Sequence, residues 1–140
     1  MSTAARRYYL RGRAALERGD TEQAIESLAS ALDLASHFTD ARLAYAVALC
    51  RVGDTPRAAQ TLRAGLAHAR TDAARAALWT QLGEVLTLGG DFPGAEDAFA
   101  QADQHPAWAG RAAAGRARVL AKTGRYPDAI AALLTAARRR

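Results

Sequence analysis

Gly19-Asp20-Thr21-Glu22-Gln23-Ala24 returns three times along the chain: as Gly53-Asp54-Thr55-Pro56-Arg57-Ala58, as Gly90-Asp91-Phe92-Pro93-Gly94-Ala95 and as Gly124-Arg125-Tyr126-Pro127-Asp128-Ala129. The leading glycines lie 34, 37 and 34 residues apart. A recurrence of that length encodes a small structural unit that stacks on copies of itself. Each part of the phrase has a physical role. Glycine ends a helix because it enters the left-handed region cheaply. Asp or Thr accepts hydrogen bonds from the free amides that open the next helix. Pro56, Pro93 and Pro127 suit a first helical turn, where a missing N–H costs nothing. The closing Ala allows two helices to cross closely. Every phrase therefore reads as a tight turn between two antiparallel helices.

The flanking residues carry the helical period. Before the first turn come Tyr8, Gly12 and Ala15, and after it Ala24, Leu28 and Ala31, with Ile25 and Leu32 beside them. The second unit offers Leu43, Ala46 and Leu49, then Ala58, Leu62, Gly65 and Leu66. The third has Trp79, Leu82, Gly83 and Leu86, then Ala95, Ala98, Phe99 and Ala102. The fourth has Gly115 and Leu120, then Ala129, Ile130, Leu133 and Ala136. Small residues alternate with large ones at three- to four-residue spacing, so ridges of one helix can enter grooves of another. The pattern predicts eight helices over 4–18, 22–35, 39–52, 56–69, 72–88, 92–104, 107–123 and 127–138. The one longer spacing assigns three extra residues, Ala73 to Arg75, to a helix or loop extension.

Trp79-x-x-Leu82-Gly83, followed by Ala95-x-x-x-Phe99 and Pro106, resembles the tetratricopeptide repeat (TPR) signature. The first unit matches through Gly12, Ala15, Ala24, Leu28 and Ala31. The second and fourth are more degenerate: Ala46 replaces the first-helix glycine, and neither has the Trp or the later aromatic. The resemblance covers about residues 5–137. It implies an all-α fold, a right-handed α-solenoid of four antiparallel helix pairs, in a single domain 1–140 with units at about 5–38, 39–75, 76–109 and 110–140. It also implies a scaffold for protein–protein interaction, not an enzyme, whose concave groove is lined by the first helix of each pair.

On that implication, the groove residues are those on the first-helix faces that do not carry the packing pattern. Unit one offers Arg6, Tyr9, Arg13 and Leu16. Unit two offers Asp40, Leu43, Val47, Cys50 and Arg51. Unit three offers Ala77, Thr80, Glu84 and Thr87, and unit four Arg111, Ala114, Arg118 and Lys122. The expected peptide-binding set is Tyr9, Arg13, Leu43, Val47, Thr80, Glu84, Arg111 and Arg118. Such a surface suits an extended peptide or helix with apolar anchors and acidic flanks, because an arginine clamps a carboxylate with two parallel hydrogen bonds. Chaperone-binding members of the family clamp a carboxylate with Lys, Asn and Arg at set places. Those places hold Tyr9, Arg13, Ala44, Ala77 and Gln81 here, which argues against that ligand.

Composition bounds the other readings. Half of the 140 residues are apolar, which argues against general disorder, and Ala, the strongest helix former, is the commonest residue. The net charge of +5 is uneven. Residues 1–18 hold five Arg against Glu17, residues 110–140 hold seven Arg and Lys122 against Asp128, and the central stretch holds six Arg against twelve acids. Basic ends, with Arg138-Arg139-Arg140 last, keep open a nucleic-acid-associated function, against which stands the acidic centre. Self-association is the third class. The last helix carries Ile130, Leu133 and Leu134 with no ninth helix to cover them, a stripe that suits either a homodimer through that helix or a place within a longer repeat array. His37, His68 and His105 fall at helix ends, too far apart to share a metal, and no metal or cofactor is expected. Cys50 is the one cysteine, so no intrachain disulfide forms. No run of 18 apolar residues occurs, so no membrane span is expected, and the compartment expected is cytoplasmic. One Lys among 19 basic residues suits a GC-rich bacterial genome.

Overall fold

The computed structural model describes residues 2–138. Among them are eight α-helices: α1 (Thr3–Arg18), α2 (Thr21–Leu34), α3 (Thr39–Arg51), α4 (Thr55–His68), α5 (Asp72–Leu88), α6 (Phe92–Asp103), α7 (Ala109–Lys122) and α8 (Tyr126–Arg138). All agree with the expected ranges to within two residues at either end. The three extra residues of the long spacing fall inside α5, which runs for 17 residues.

The recurring phrase is one turn built four times. Gly19, Gly53, Gly90 and Gly124 have φ of 80°, 80°, 84° and 78°, the left-handed region that a side chain would strain. At the first, Gly19 N–H donates to Leu16 O at 3.1 Å and Asp20 N–H to Ala15 O at 2.9 Å. The same pair of bonds recurs at each turn, ending with Arg125 N–H to Leu120 O at 2.8 Å. These bonds satisfy carbonyls that a helix end would leave free. The next helix is opened by an aspartate: Asp20, Asp54 and Asp91 accept from Gln23, Arg57 and Gly94 amides at 3.3, 3.2 and 3.0 Å. In the fourth turn Arg125 takes that place and pairs instead with Glu96 and Asp128.

The chain divides into two compact units, Met1–Arg70 and Thr71–Arg140. In the first, α1 packs on α2, α2 on α3, and α3 on α4; in the second, α5 packs on α6, α6 on α7, and α7 on α8. Close approach rests on glycine and alanine. A Cβ on Gly12 would lie 2.6 Å from Leu28 Cγ, and one on Gly83 2.6 Å from Phe99 Cε1. Gly115 faces the same edge of the Phe99 ring from α7. Leu28, Leu62 and Phe99 are accordingly buried. The first unit's core gathers Ala5, Ala15, Ala24, Leu28, Ala31, Phe38, Ala41 and Ala48.

Ile130 and Leu133 are 59% and 49% exposed, the uncovered apolar stripe expected of the last helix. Arg42, on α3, is buried: its guanidinium donates to Thr61 O and Oγ1 at 3.1 Å each and to Ser36 O at 2.7 Å. Arg42 thus ties the α2–α3 link to α4, and burial holds its pKa below the ordinary value.

Candidate partner-binding surface

In the first unit the candidate surface is built on α1 and α3. Phe38 precedes α3 and is buried, with its ring 4.9 Å from that of Tyr9 on α1, tilted by 52°. One turn along α1, Arg13 sets its guanidinium 5.7 Å from the centre of the Tyr9 ring and donates to Tyr9 Oη at 3.4 Å. Arg6, Tyr9, Leu10, Phe38 and Asp40 line a cleft of about 390 Å³ beside this stack. Leu43 and Val47 are half-buried on α3, four residues apart on one helix face, outside that cleft. Arg51 donates to Leu16 O at 2.9 Å and fastens the end of α3 to α1. Burial raises the pKa of Cys50, which favours the neutral thiol over the thiolate.

In the second unit the surface is built on α5 and α7. Glu84 and Arg111 form an ion pair at 3.4 Å, and Arg111 also lies 5.0 Å from the Trp108 ring centre. Glu84, Thr87, Leu88, Arg118 and Lys122 line a second cleft of about 390 Å³. Arg118 is exposed and has no ion-pair partner among the described residues. Both ends of α7 are therefore cationic, one end neutralised by Glu84 and the other available.

Of the expected set, Tyr9 and Arg13 come together in the first unit, and Glu84, Arg111 and Arg118 in the second. Thr80 is a correction. It is 1% exposed, and its hydroxyl donates to Ala76 O at 2.8 Å. A threonine that bonds its own helix carbonyl one turn back needs no solvent and can be packed inside. Its neighbour on the expected face, Ala77, is buried as well. The first-unit cleft contains two residues that the face rule did not select, Phe38 and Leu10. The sequence signal for Phe38 is an aromatic in the link just before a first helix, repeated as Trp108 before α7.

The histidines occupy helix ends: His37 in the α2–α3 link, His68 as the last residue of α4, and His105 just past α6. No group of three His, Cys, Asp or Glu among the described residues is placed to hold a metal. No helix among them is long and apolar enough to cross a membrane. Arg139 and Arg140 of the basic terminus lie outside the described residues.

Two family models, both of the tetratricopeptide repeat, match residues 15–82 and 110–135, together more than half of the chain. The chain is a tetratricopeptide repeat protein. TPR proteins are in general protein-interaction modules. No curated protein matches this one closely enough to count as a relative. Solved structures share the fold. A MamA crystal structure superposes with a TM-score of 0.81 at 19% identity, over 96% of this chain and 77% of that one. PilF of Pseudomonas aeruginosa gives 0.81 at 24% identity, over 98% of this chain and 61% of that one. TTC0263, a thermophilic TPR protein of Thermus thermophilus, gives 0.76 at 21% identity, over 98% and 74%. At these identities the likeness concerns the fold.

Proposed function

We propose that this TPR protein is a scaffold that captures an extended peptide or a helix of a partner protein on its first-helix faces. Apolar anchors of the partner meet Tyr9, Leu43 and Val47, and its carboxylates meet Arg13, Arg111 and Arg118. The observation that carries the reading is the Phe38–Tyr9–Arg13 stack. An aromatic floor is fixed by a ring contact at 4.9 Å, and a guanidinium is already held over it. Groups ordered before binding lose little entropy on binding, so such a floor suits recognition. Arg118 supports the same reading, being an exposed cation with no ion-pair partner among the described residues. Arg111 contributes in competition with Glu84, which makes it the weaker of the cationic contacts.

The test is affinity capture from native lysate with the wild type and with a variant carrying Arg13→Glu and Arg118→Glu. The reading expects a discrete partner that the variant loses while keeping its far-UV circular dichroism. Retention of that partner by the folded variant refutes the groove. Binding to random DNA or RNA that falls steeply with salt would favour the nucleic-acid alternative.

A further inference from the structure

The open cleft between α7 and α8 is the one the molecule itself fills one repeat earlier. Counted from the turn glycines, Leu28, Leu62, Phe99 and Leu133 are equivalent, each nine residues after its glycine, and Leu62 is fully buried. Leu28 is fully buried and Phe99 is 1% exposed, whereas Leu133 is 49% exposed. In the second unit the element that lies on Phe99 is α7, which brings Gly115 against the ring. In the first unit the equivalent of Gly115 is Ala44 of α3, packed against the cluster that holds Leu28. The second unit thus shows what covers such a cleft, a helix with glycine against the large residue, and the first sets the small Ala44 of α3 against the cluster that includes Leu28.

Charge states the rest of the occupant's chemistry. The α5/α6 cleft presents Glu84, and the helix that covers it carries Arg111 in ion pair with it, four residues before Gly115. One repeat on, the place of Glu84 is taken by Arg118, which lines the α7/α8 cleft beside Tyr126, Ile130 and Leu133. The cation required of α7 therefore becomes an anion in whatever covers α7 and α8. Glu96, which pairs with Arg125, is likewise replaced by Ile130, so the second contact becomes apolar. The first unit shows the same reversal in sequence, with Arg13 in the place of Glu84 and Asp40, four before Ala44, in the place of Arg111.

We propose that the α7/α8 cleft, about 380 Å³ and walled mainly by apolar side chains, docks an amphipathic helix of a partner protein. That helix bears Asp or Glu four residues before an Ala or Gly, the acid meeting Arg118 and the small residue seated on Leu133. Helix-in-groove recognition of this kind reads anchors at three- to four-residue spacing. A second copy of this chain is the poorer occupant through its own α1, whose Arg6, Arg7, Arg11 and Arg13 would oppose Arg118. The proposal shares Arg118 with the groove reading above but stands on Leu133 of α8 and not on Tyr9 and Arg13, so Leu133→Asp and Arg13→Glu tell the two apart.

The protein supplies its own probes. A labelled peptide of residues 38–54 carries Asp40 and Ala44 at the required spacing, and one of residues 108–125 carries Arg111 and Gly115. Fluorescence anisotropy against the intact protein is expected to show the first peptide bound at least tenfold more tightly than the second. Arg118→Glu should invert that order, Leu133→Asp should abolish binding of both, and Arg13→Glu should change neither. All three substitutions are of exposed residues, and unchanged circular dichroism verifies their fold. Equal affinity for the two peptides, no binding of either at millimolar concentration, or insensitivity to Leu133→Asp overturns the proposal. So does a stable dimer in sedimentation that Leu133→Asp dissociates, which would make a second copy the occupant.

Discussion

Gly83→Ala adds a single methyl to α5, and the sign of its effect tests how the helices dock. On an open helix face the change would stabilise by about 1 kcal/mol, the difference in helix propensity between Gly and Ala. At Gly83 the new Cβ would lie 2.6 Å from Phe99 Cε1 and 2.7 Å from Cζ, about 1 Å inside normal carbon contact. The ring is 1% exposed, and the same three ring carbons also meet Gly115, so the added methyl must displace a packed ring. Overpacking of this kind costs about 1–3 kcal/mol. The net expectation is a loss of about 1 kcal/mol, or about 0.5 M in urea midpoint for a typical slope of about 2 kcal/mol/M. Both tryptophans, Trp79 and Trp108, lie within Thr71–Arg140, so their emission during urea unfolding follows that unit. Gly110→Ala is the control: it sits on α7 with nothing within 4 Å of its Cβ position, and propensity alone should raise its midpoint. Adding Phe99→Leu to Gly83→Ala should recover at least half of the overpacking cost, measured as a coupling energy in a double-mutant cycle. A Gly83→Ala protein more stable than wild type, in step with Gly110→Ala, would refute close docking through the glycine.

Arg42→Ala removes three hydrogen bonds from a buried guanidinium and leaves Ser36 O without that donor, while Thr61 O keeps its place in the α4 ladder, so urea unfolding followed by circular dichroism should show a loss of about 2–3 kcal/mol. Asp91→Ala removes the cap of α6 and should cost about 1 kcal/mol in the same assay, with Asp91→Asn nearly neutral. Burial raises the Cys50 pKa above its ordinary 9.0, so the pH midpoint of its reaction with iodoacetamide should lie above that value in the folded protein. Because the folded pKa is the higher, the associated stability is present below pH 9.0 and is lost as pH rises through the folded value. Cys50→Ala should lack that alkaline fall in urea midpoint.

The turn phrase carried most of the fold because its chemistry is local. A left-handed glycine and a capping aspartate act on the backbone beside them, and these are the signals that a single sequence displays. Helix ends could therefore be read closely. The surface was less legible because exposure depends on what a helix meets. Thr80 looked like a polar groove residue, but a threonine that bonds its own helix carbonyl is free to be buried. Nothing in the sequence singles out Arg42 as buried, yet two carbonyls and a hydroxyl from other segments converge on it. Phe38 lay outside the helical period and so outside the face rule, although it forms the floor beneath Tyr9. The exposure of Ile130 and Leu133, by contrast, was legible from the helix order, since no helix among the described residues follows α8 to cover them.

The central claim is that the first helices carry the partner-binding face. Its most direct test is an amide chemical-shift titration of the protein with the segment of the captured partner that binds it. The largest shifts are expected on α1, α3, α5 and α7, around Tyr9, Arg13, Val47 and Arg118. Shifts confined to the outer faces of α2, α4 and α6, with those four residues unmoved, would contradict it.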